Sequence, residues 1–267
     1  MKAGFVQTSP RFGDIRWNVD DAVERIRALC GSTGATLVAL PELFSTGYQF
    51  KSAKEALDLA EDASAGYAAK RLGEAAKELG VFIVAGFAEK SGRKVYNSAV
   101  LIGPKGRVGT YRKAHLFSNE KKIFSPGDTP FEVYKAGRAR VGMMICFDWL
   151  FPEAARTLAL KGADIICHPS NLVLPYCPAA MITRSLENRV YAVTANRVGA
   201  EERISGKRLK FIGTSQIIAP DGKVIARAGR VRPCAHAADF DLKAARDKRI
   251  TPVNDIFKDR RTGFYEL

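Results

Sequence analysis

Apolar positions along this chain follow two rhythms. Short unbroken apolar runs predict buried strands, and apolar residues recurring every three or four positions predict helices. Residues 3–7 open the chain as a buried strand. Asn18 stands where it can cap a helix whose Val19, Val23, Ile26 and Leu29 share one face, with Gly31 and Gly34 closing it. Residues 36–40 are too apolar for a solvated edge strand, and the run stops at Pro41-Glu42. A helical pattern spans 67–79, and a buried strand spans 81–88. In the middle of the chain, residues 98–102 and 108–111 read as a hairpin across Pro104-Lys105-Gly106. Residues 131–134 and 139–145 form a second tight pair around Gly137.

The second half repeats the rhythm of the first. A helix is predicted over 152–160 with Pro152 at its first position. Strands follow at 164–167 and 191–195, with a helix over 179–189 between them. Residues 211–220 and 223–228 pair around Asp221-Gly222. A last strand over 237–242 leads into a short basic helix. Alternating helices and strands with apolar helix faces predict an α/β fold with two packed sheets covered by helices. No Pro/Gly/Ser linker separates the halves, so residues 1–267 are expected to be one domain. The tail, 254–267, mixes Phe257, Phe264 and Tyr265 with charges, and such a tail stays ordered only if it docks.

Composition removes other classes. The chain has 267 residues, 46% apolar and 26% charged, which is a globular balance. No apolar stretch reaches the length of a membrane span. The opening apolar run is too short for a secretory signal, so the mature chain is expected to begin near Met1. The five cysteines are odd in number and lack close C-x-x-C spacing, which argues for reduced cytoplasmic thiols and against a disulfide framework or zinc site. The net charge of +14 invites an anionic partner, but the basic residues are scattered in short runs such as Lys207-Arg208-Leu209-Lys210. No nucleic-acid motif accompanies them, and neither a nucleic acid nor a membrane is expected as partner. Phosphate loops, dinucleotide fingerprints and the G-x-S-x-G elbow are absent.

Three polar residues close apolar segments. Glu42 follows the strand at 36–40, Lys113 follows the strand at 108–111, and Cys146 ends the apolar run Arg140-Val-Gly-Met-Met-Ile-Cys146. Ligand sites in α/β folds gather at strand ends. Singly, each reads more simply as a turn glutamate, a surface lysine or a core cysteine. Together they supply a nucleophile, a base that can take its proton and a cation for a developing oxyanion. No histidine is adjacent in this constellation. The element after Cys146 is expected to lower the thiol pKa.

The segments Leu40-Pro-Glu-Leu-Phe44, Tyr111-Arg-Lys-Ala-His-Leu-Phe117 and Cys146-Phe-Asp-Trp-Leu-Phe-Pro-Glu153 resemble the three motifs of the nitrilase, or carbon–nitrogen hydrolase, superfamily. The resemblance covers essentially the whole chain and looks closest to small nitrilase-like amidases of thermophilic archaea. It implies a four-layer αββα sandwich, a homodimer with a C-terminal arm, and no cofactor or metal. It also implies roles. Glu42 is the general base, Cys146 the nucleophile, and Lys113 the oxyanion partner with the backbone N–H of Phe147. Glu120 matches the family's second glutamate, and Asn171 a position near the substrate. Asp148 is expected to hold the loop after Cys146. Phe147, Trp149 and Tyr48 are expected either to wall the pocket or simply to pack. Cys177 is expected near the pocket mouth, and Arg184, Glu187 and Arg189 in an ion-pair network.

The implied activity is hydrolysis of a small carboxylic amide to acid and ammonia through a thioester. A nitrilase shares the same residues, as does an N-carbamoyl amine or amino-acid amidohydrolase. The latter requires a charged pocket group for the remote end of its substrate. A non-enzymatic binding scaffold would have no physical need for Glu42, Lys113 and Cys146 together.

Overall fold

The computed structural model describes residues 1–265. The chain runs β1 (Lys2–Gln7), α1 (Ile15–Thr33), β2 (Leu37–Ala39), α2 (Ala53–Leu59), α3 (Tyr67–Leu79), β3 (Phe82–Ser91), β4 (Lys94–Gly103), β5 (Gly106–Arg112) and α4 (Glu120–Ile123). It continues through β6 (Val133–Ala136), β7 (Ala139–Met143), a 3-10 turn at Cys146–Leu150, α5 (Pro152–Leu160), β8 (Ile165–Pro169), α6 (Cys177–Asn188) and β9 (Tyr191–Ala195). A small ribbon of β10 (Ala200–Glu201) and β11 (Leu209–Lys210) precedes β12 (Gln216–Ile218), β13 (Val224–Arg227), β14 (Cys234–Asp239) and α7 (Leu242–Arg246).

Two six-stranded sheets carry the fold, ordered β14-β1-β2-β3-β4-β5 and β13-β12-β9-β8-β7-β6. Each has three parallel strands at its centre, β1, β2 and β3 in one and β7, β8 and β9 in the other. Antiparallel strands extend both edges. On β3, Ile83, Ala85 and Phe87 join the apolar layer beneath α1 and α3, while Val84 joins the layer between the sheets. This is the two-residue alternation of a strand buried on both faces. Leu158 of α5 and Met181 of α6 cover the second sheet. The layers are therefore helix, sheet, sheet, helix, the αββα sandwich expected.

Several boundaries differ from the sequence reading. Asp14, not Asn18, caps α1, its side chain accepting from Trp17 N. Asn18 lies inside the helix, where its buried amide donates to the carbonyls of Arg11 and Ser45 and pins the loop before α1 to the loop after β2. The expected strand at 98–102 begins at Lys94 and pairs with all of β3 from Ile83 to Ser91, a hairpin the apolar count missed because its tip is polar. The run through Cys146 leaves strand geometry at Met143. The α2 helix and the β10–β11 ribbon were not anticipated, being too short for a period to register.

The described part of the tail lies on this chain's own surface. Phe257 is half-buried, with the cations of Arg156 and Lys248 5.2 and 5.1 Å from its ring centre. Phe264 and Tyr265 are exposed. Residues 266–267 of the expected docking tail lie outside the described residues. Among the described residues, no helix is long and apolar enough to cross a membrane.

Candidate active site

The first sheet delivers two charged groups to one point. After β2 the chain crosses β3 at Gly86, where a Cβ would lie 2.5 Å from the Glu42 Cα and 2.9 Å from the Pro41 carbonyl. Only glycine permits that approach. The crossing is stitched by Phe44 N–H donating to the Gly86 carbonyl at 2.9 Å. Lys113 follows β5, its N–H donating to the Asn97 carbonyl of β4 at 2.8 Å.

The Lys113 ammonium is wholly buried and gripped from two sides. It lies 2.7 Å from Glu42 Oε1 and 2.9 and 2.7 Å from Glu120 Oε1 and Oε2. Asn97 Nδ2 donates to Glu42 Oε1 at 2.7 Å. Glu120 also accepts from the Tyr48 hydroxyl at 2.7 Å and from Phe117 N–H at 3.1 Å. Burial by itself disfavours the ammonium, but the fields of Glu120 and Glu42 outweigh it, and the Lys113 pKa is raised. The cation is therefore held charged, as the pairing of two carboxylates around one lysine requires. Burial raises the Glu42 pKa above the carboxylate norm, against the pull of Lys113, and Glu120 pushes the same way. Glu42 Oε2 has no hydrogen-bond partner.

The second sheet delivers the thiol on a strained turn. Cys146 has φ +39°, a left-handed value that β-carbon sterics disfavour. Its neighbours hold it there. Asp148, fully buried, accepts from Ile145 N–H at 2.8 Å, from the Tyr111 hydroxyl at 2.8 Å and from His115 Nδ1 at 2.8 Å. Tyr111 accepts in turn from Ala114 N–H at 3.0 Å, so one carboxylate ties the lysine loop to the cysteine loop. His115 stacks on Phe151 with ring centres 3.6 Å apart. Asp148 thus bonds the segment before Cys146 on one side and Tyr111 and His115 of the lysine loop on the other.

Two sequence expectations about Cys146 are corrected. A histidine is adjacent: His168 Nε2 lies 2.8 Å from the Cys146 carbonyl. It touches the main chain and not the sulfur, and burial lowers its pKa to about 4, so it is a neutral N–H donor bracing the strained peptide. The thiol pKa is raised, not lowered. Burial pushes it up, Glu42 adds to that, and Lys113 opposes. The following element is a five-residue 3-10 turn, too short to offer a strong dipole.

Cys146 opens into a hollow of about 310 Å³ shared with Phe117, Phe147, Trp149, Asn171, Leu172, Val173 and Leu174. A second space of about 570 Å³ adjoins it across Phe117 and Val173, and includes Tyr48, Glu120, Ile204 and Lys207. Phe147 and Trp149 are pocket walls. Tyr48 is a wall that also bonds Glu120, a role the sequence did not reveal. Cys177 is buried at the start of α6 and lines neither space. Arg184 pairs with Glu187 at 2.9 Å, but Arg189 turns away to donate to the Asp247 carbonyl. Among the described residues, no group of three His, Cys, Asp or Glu side chains could hold a metal ion.

Asn97, Tyr111, His168 and the buried Arg197–Glu201 pair were missed. Glu201 accepts from the N–H groups of Tyr48 and Gln49 and so anchors the loop that carries Tyr48. Their one sequence signal is a polar residue in or just after an apolar strand, which is also how an ordinary surface residue reads.

Comparison with known proteins places the chain in a family. A profile of the carbon-nitrogen hydrolase family matches residues 2–249. A nitrilase of Pyrococcus abyssi is 49% identical over 99% of this chain and 99% of its own. An (R)-stereoselective amidase of a Pseudomonas species is 36% identical, covering 98% of this chain and 92% of its own. A carbon-nitrogen hydrolase from Helicobacter pylori superposes with a TM-score of 0.90 at 26% identity, covering 99% and 97% of the two chains. A mutant of a Nesterenkonia amidase, showing the result of Michael addition of acrylamide at its active site cysteine, gives a TM-score of 0.81 at 25% identity over 98% and 97% of the two chains. The chain belongs to the carbon–nitrogen hydrolase (nitrilase) superfamily and is a hydrolase of non-peptide carbon–nitrogen bonds.

Proposed function

We propose that this protein is an amidase that converts a small carboxylic amide to its acid and ammonia through a thioester on Cys146. The observation that carries the reading is the buried Lys113 ammonium held by Glu42 and Glu120 beside a buried thiol. A raised thiol pKa means that the sulfur rests protonated and must lose its proton during attack. A Glu42 of raised pKa is the stronger base for that task. Glu42 takes the Sγ proton as sulfur bonds to the carbonyl carbon. The tetrahedral oxyanion faces Lys113 and the Phe147 N–H. Collapse breaks the C–N bond, and Glu42 returns its proton to the leaving nitrogen as ammonia departs. Glu42 then deprotonates water, which attacks the thioester and frees the acid and the thiol. Glu120 orients Lys113, and Asn171 faces the substrate.

The name of the Pyrococcus relative favours a second reading, hydrolysis of a nitrile with the same residues. A carbamoyl-amine or carbamoyl-amino-acid substrate needs a charged partner for its remote end, and Glu120 and Lys207 both line the larger space. The chain is further proposed to work as a homodimer, with the residues after Asn254 crossing to the partner.

The test is ammonia release from matched amides, nitriles and carbamoyl compounds by wild type and Cys146→Ala. Amide turnover that vanishes in the variant, with an acyl adduct on Cys146 trapped in the mass of the quenched wild type, supports the reading. Amide turnover that survives the substitution defeats it.

A further inference from the structure

Around Cys146, Glu42 Oε2 and Asn97 Oδ1 each lack a partner, and one side chain lacks partners at both of its polar ends. Asn171 is 2% exposed, and neither its Nδ2 nor its Oδ1 has a hydrogen-bond partner. A buried carboxamide with both ends unpaired is costly, and native folds rarely keep one without a ligand to complete it. The main chain on either side is fixed. Ser170 N–H donates to the Ala195 carbonyl at 2.8 Å, and Leu172 N–H donates to Asn196 Oδ1 at 2.9 Å. The Asn171 N–H favours the Cys146 thiolate, and the Asn171 side chain lines the same hollow as the sulfur. The rest of that hollow is apolar: Phe117, Phe147, Trp149, Leu172, Val173 and Leu174.

We infer that Asn171 reads the amide group of the substrate and so selects primary amides over nitriles; this rests on the amidase reading above. A primary carboxamide offers N–H donors and a carbonyl acceptor, which complement the acceptor Oδ1 and the donor Nδ2 of Asn171. A nitrile offers one acceptor nitrogen and no donor. With a nitrile bound, Oδ1 gains no donor from the substrate, and apart from Cys146 the other side chains on the hollow are apolar. A site built to bond a substrate N–H strongly disfavours the analogue that lacks it. Lys113 makes no such distinction, since it serves the charge developing on either substrate.

The measurement is the ratio of kcat/KM for an amide to that of the nitrile with the same side chain, for wild type, Asn171→Leu and Asn171→Ser. Thermal unfolding and the rate of Cys146 alkylation by iodoacetamide check that each variant is folded with its thiol in place. Wild type is expected to favour the amide by about 100-fold or more. Asn171→Leu, similar in size and without polar atoms, is expected to lower that ratio by roughly 10- to 100-fold, mostly through the amide. Asn171→Ser, which keeps one hydroxyl, should fall between. An unchanged ratio in a folded Asn171→Leu enzyme overturns the inference while leaving the amidase reading intact. Equal loss on amide and nitrile overturns it too, because Asn171 then only positions Cys146. Wild-type turnover of nitriles alone, dependent on Cys146, overturns the amidase reading and this inference with it.

Discussion

The two sheets furnish the site in opposite ways. The first supplies Glu42, Asn97 and Lys113, a buried charge cluster in which the ammonium meets three carboxylate oxygens. The second supplies Cys146, His168 and Asn171, a strained turn and an apolar hollow with an unpaired amide. One side fixes a charge state, with only Glu42 Oε2 and Asn97 Oδ1 left without partners. The other leaves both polar ends of the Asn171 side chain unpaired beside the sulfur. Fixed charge stabilises a transition state without reorganising, whereas recognition needs groups that only the substrate completes. Asp148 joins the halves, since its carboxylate bonds Tyr111 and His115 from the lysine side and Ile145 from the cysteine side.

Removing the cation should separate the halves most sharply. Lys113→Met leaves Glu42 and Glu120 buried face to face, which is expected to cost about 3–5 kcal/mol, on the scale of breaking a buried ion pair. Thermal unfolding should show a fall of roughly 10 °C at neutral pH. Glu42, already raised in pKa, rises further without Lys113. Its folded state then binds a proton better than its unfolded state, so the variant should regain stability as pH falls, and a loss that is flat with pH would contradict the charge-cluster account. Amide turnover should drop at least about 10³-fold, as when a core catalytic group is removed.

The wild-type pH profile probes the same cluster more gently. On the proposed mechanism Glu42 must be anionic to accept the thiol proton, and its pKa lies above the reference 4.5. Activity should therefore decline on acidification while ordinary carboxylates are still ionised, with the acid limb of kcat/KM above pH 4.5. A limb at or below that value would place another group in the base's role.

Tyr48→Phe tests one bond of the cage. The ring keeps its edge contact with Phe211, and Glu120 loses a donor at 2.7 Å. Since hydrogen bonds to charged groups contribute about 1.5–3 kcal/mol, kcat should fall about tenfold or more with little change in melting temperature. A lowered melting temperature with unchanged kcat would make Tyr48 a packing residue only. Truncation after Asn254 should act least on the chemistry. It removes Phe257 and the exposed Phe264 and Tyr265, and sedimentation should show a weaker dimer with turnover per site nearly unchanged. An unchanged dimer would count against the crossing arm.

Much of the fold was legible because strands buried on both faces must be apolar without interruption, and nearly all the central strands announce themselves that way. The polar ends of those runs singled out Glu42, Lys113 and Cys146. Glu120 and Asn171 were reached only through resemblance, since one opens a four-residue helix and the other follows a strand with no pattern of its own. Asn97 was hidden within an apolar strand, and His168 at the end of another.

The sequence by itself determined the layers and the order of the main strands and helices, and it singled out Glu42, Lys113 and Cys146, because periodicity and residue type are local properties. Tertiary structure decided the rest. The direction of the Cys146 pKa follows from burial and from the distance to charges 33 and 104 positions away, which no local pattern encodes. The same holds for the Asp148 link between loops and for the neutrality of His168. The unpaired state of Asn171 exists only once every neighbour has taken its own partner, and a linear chain cannot show what is left over.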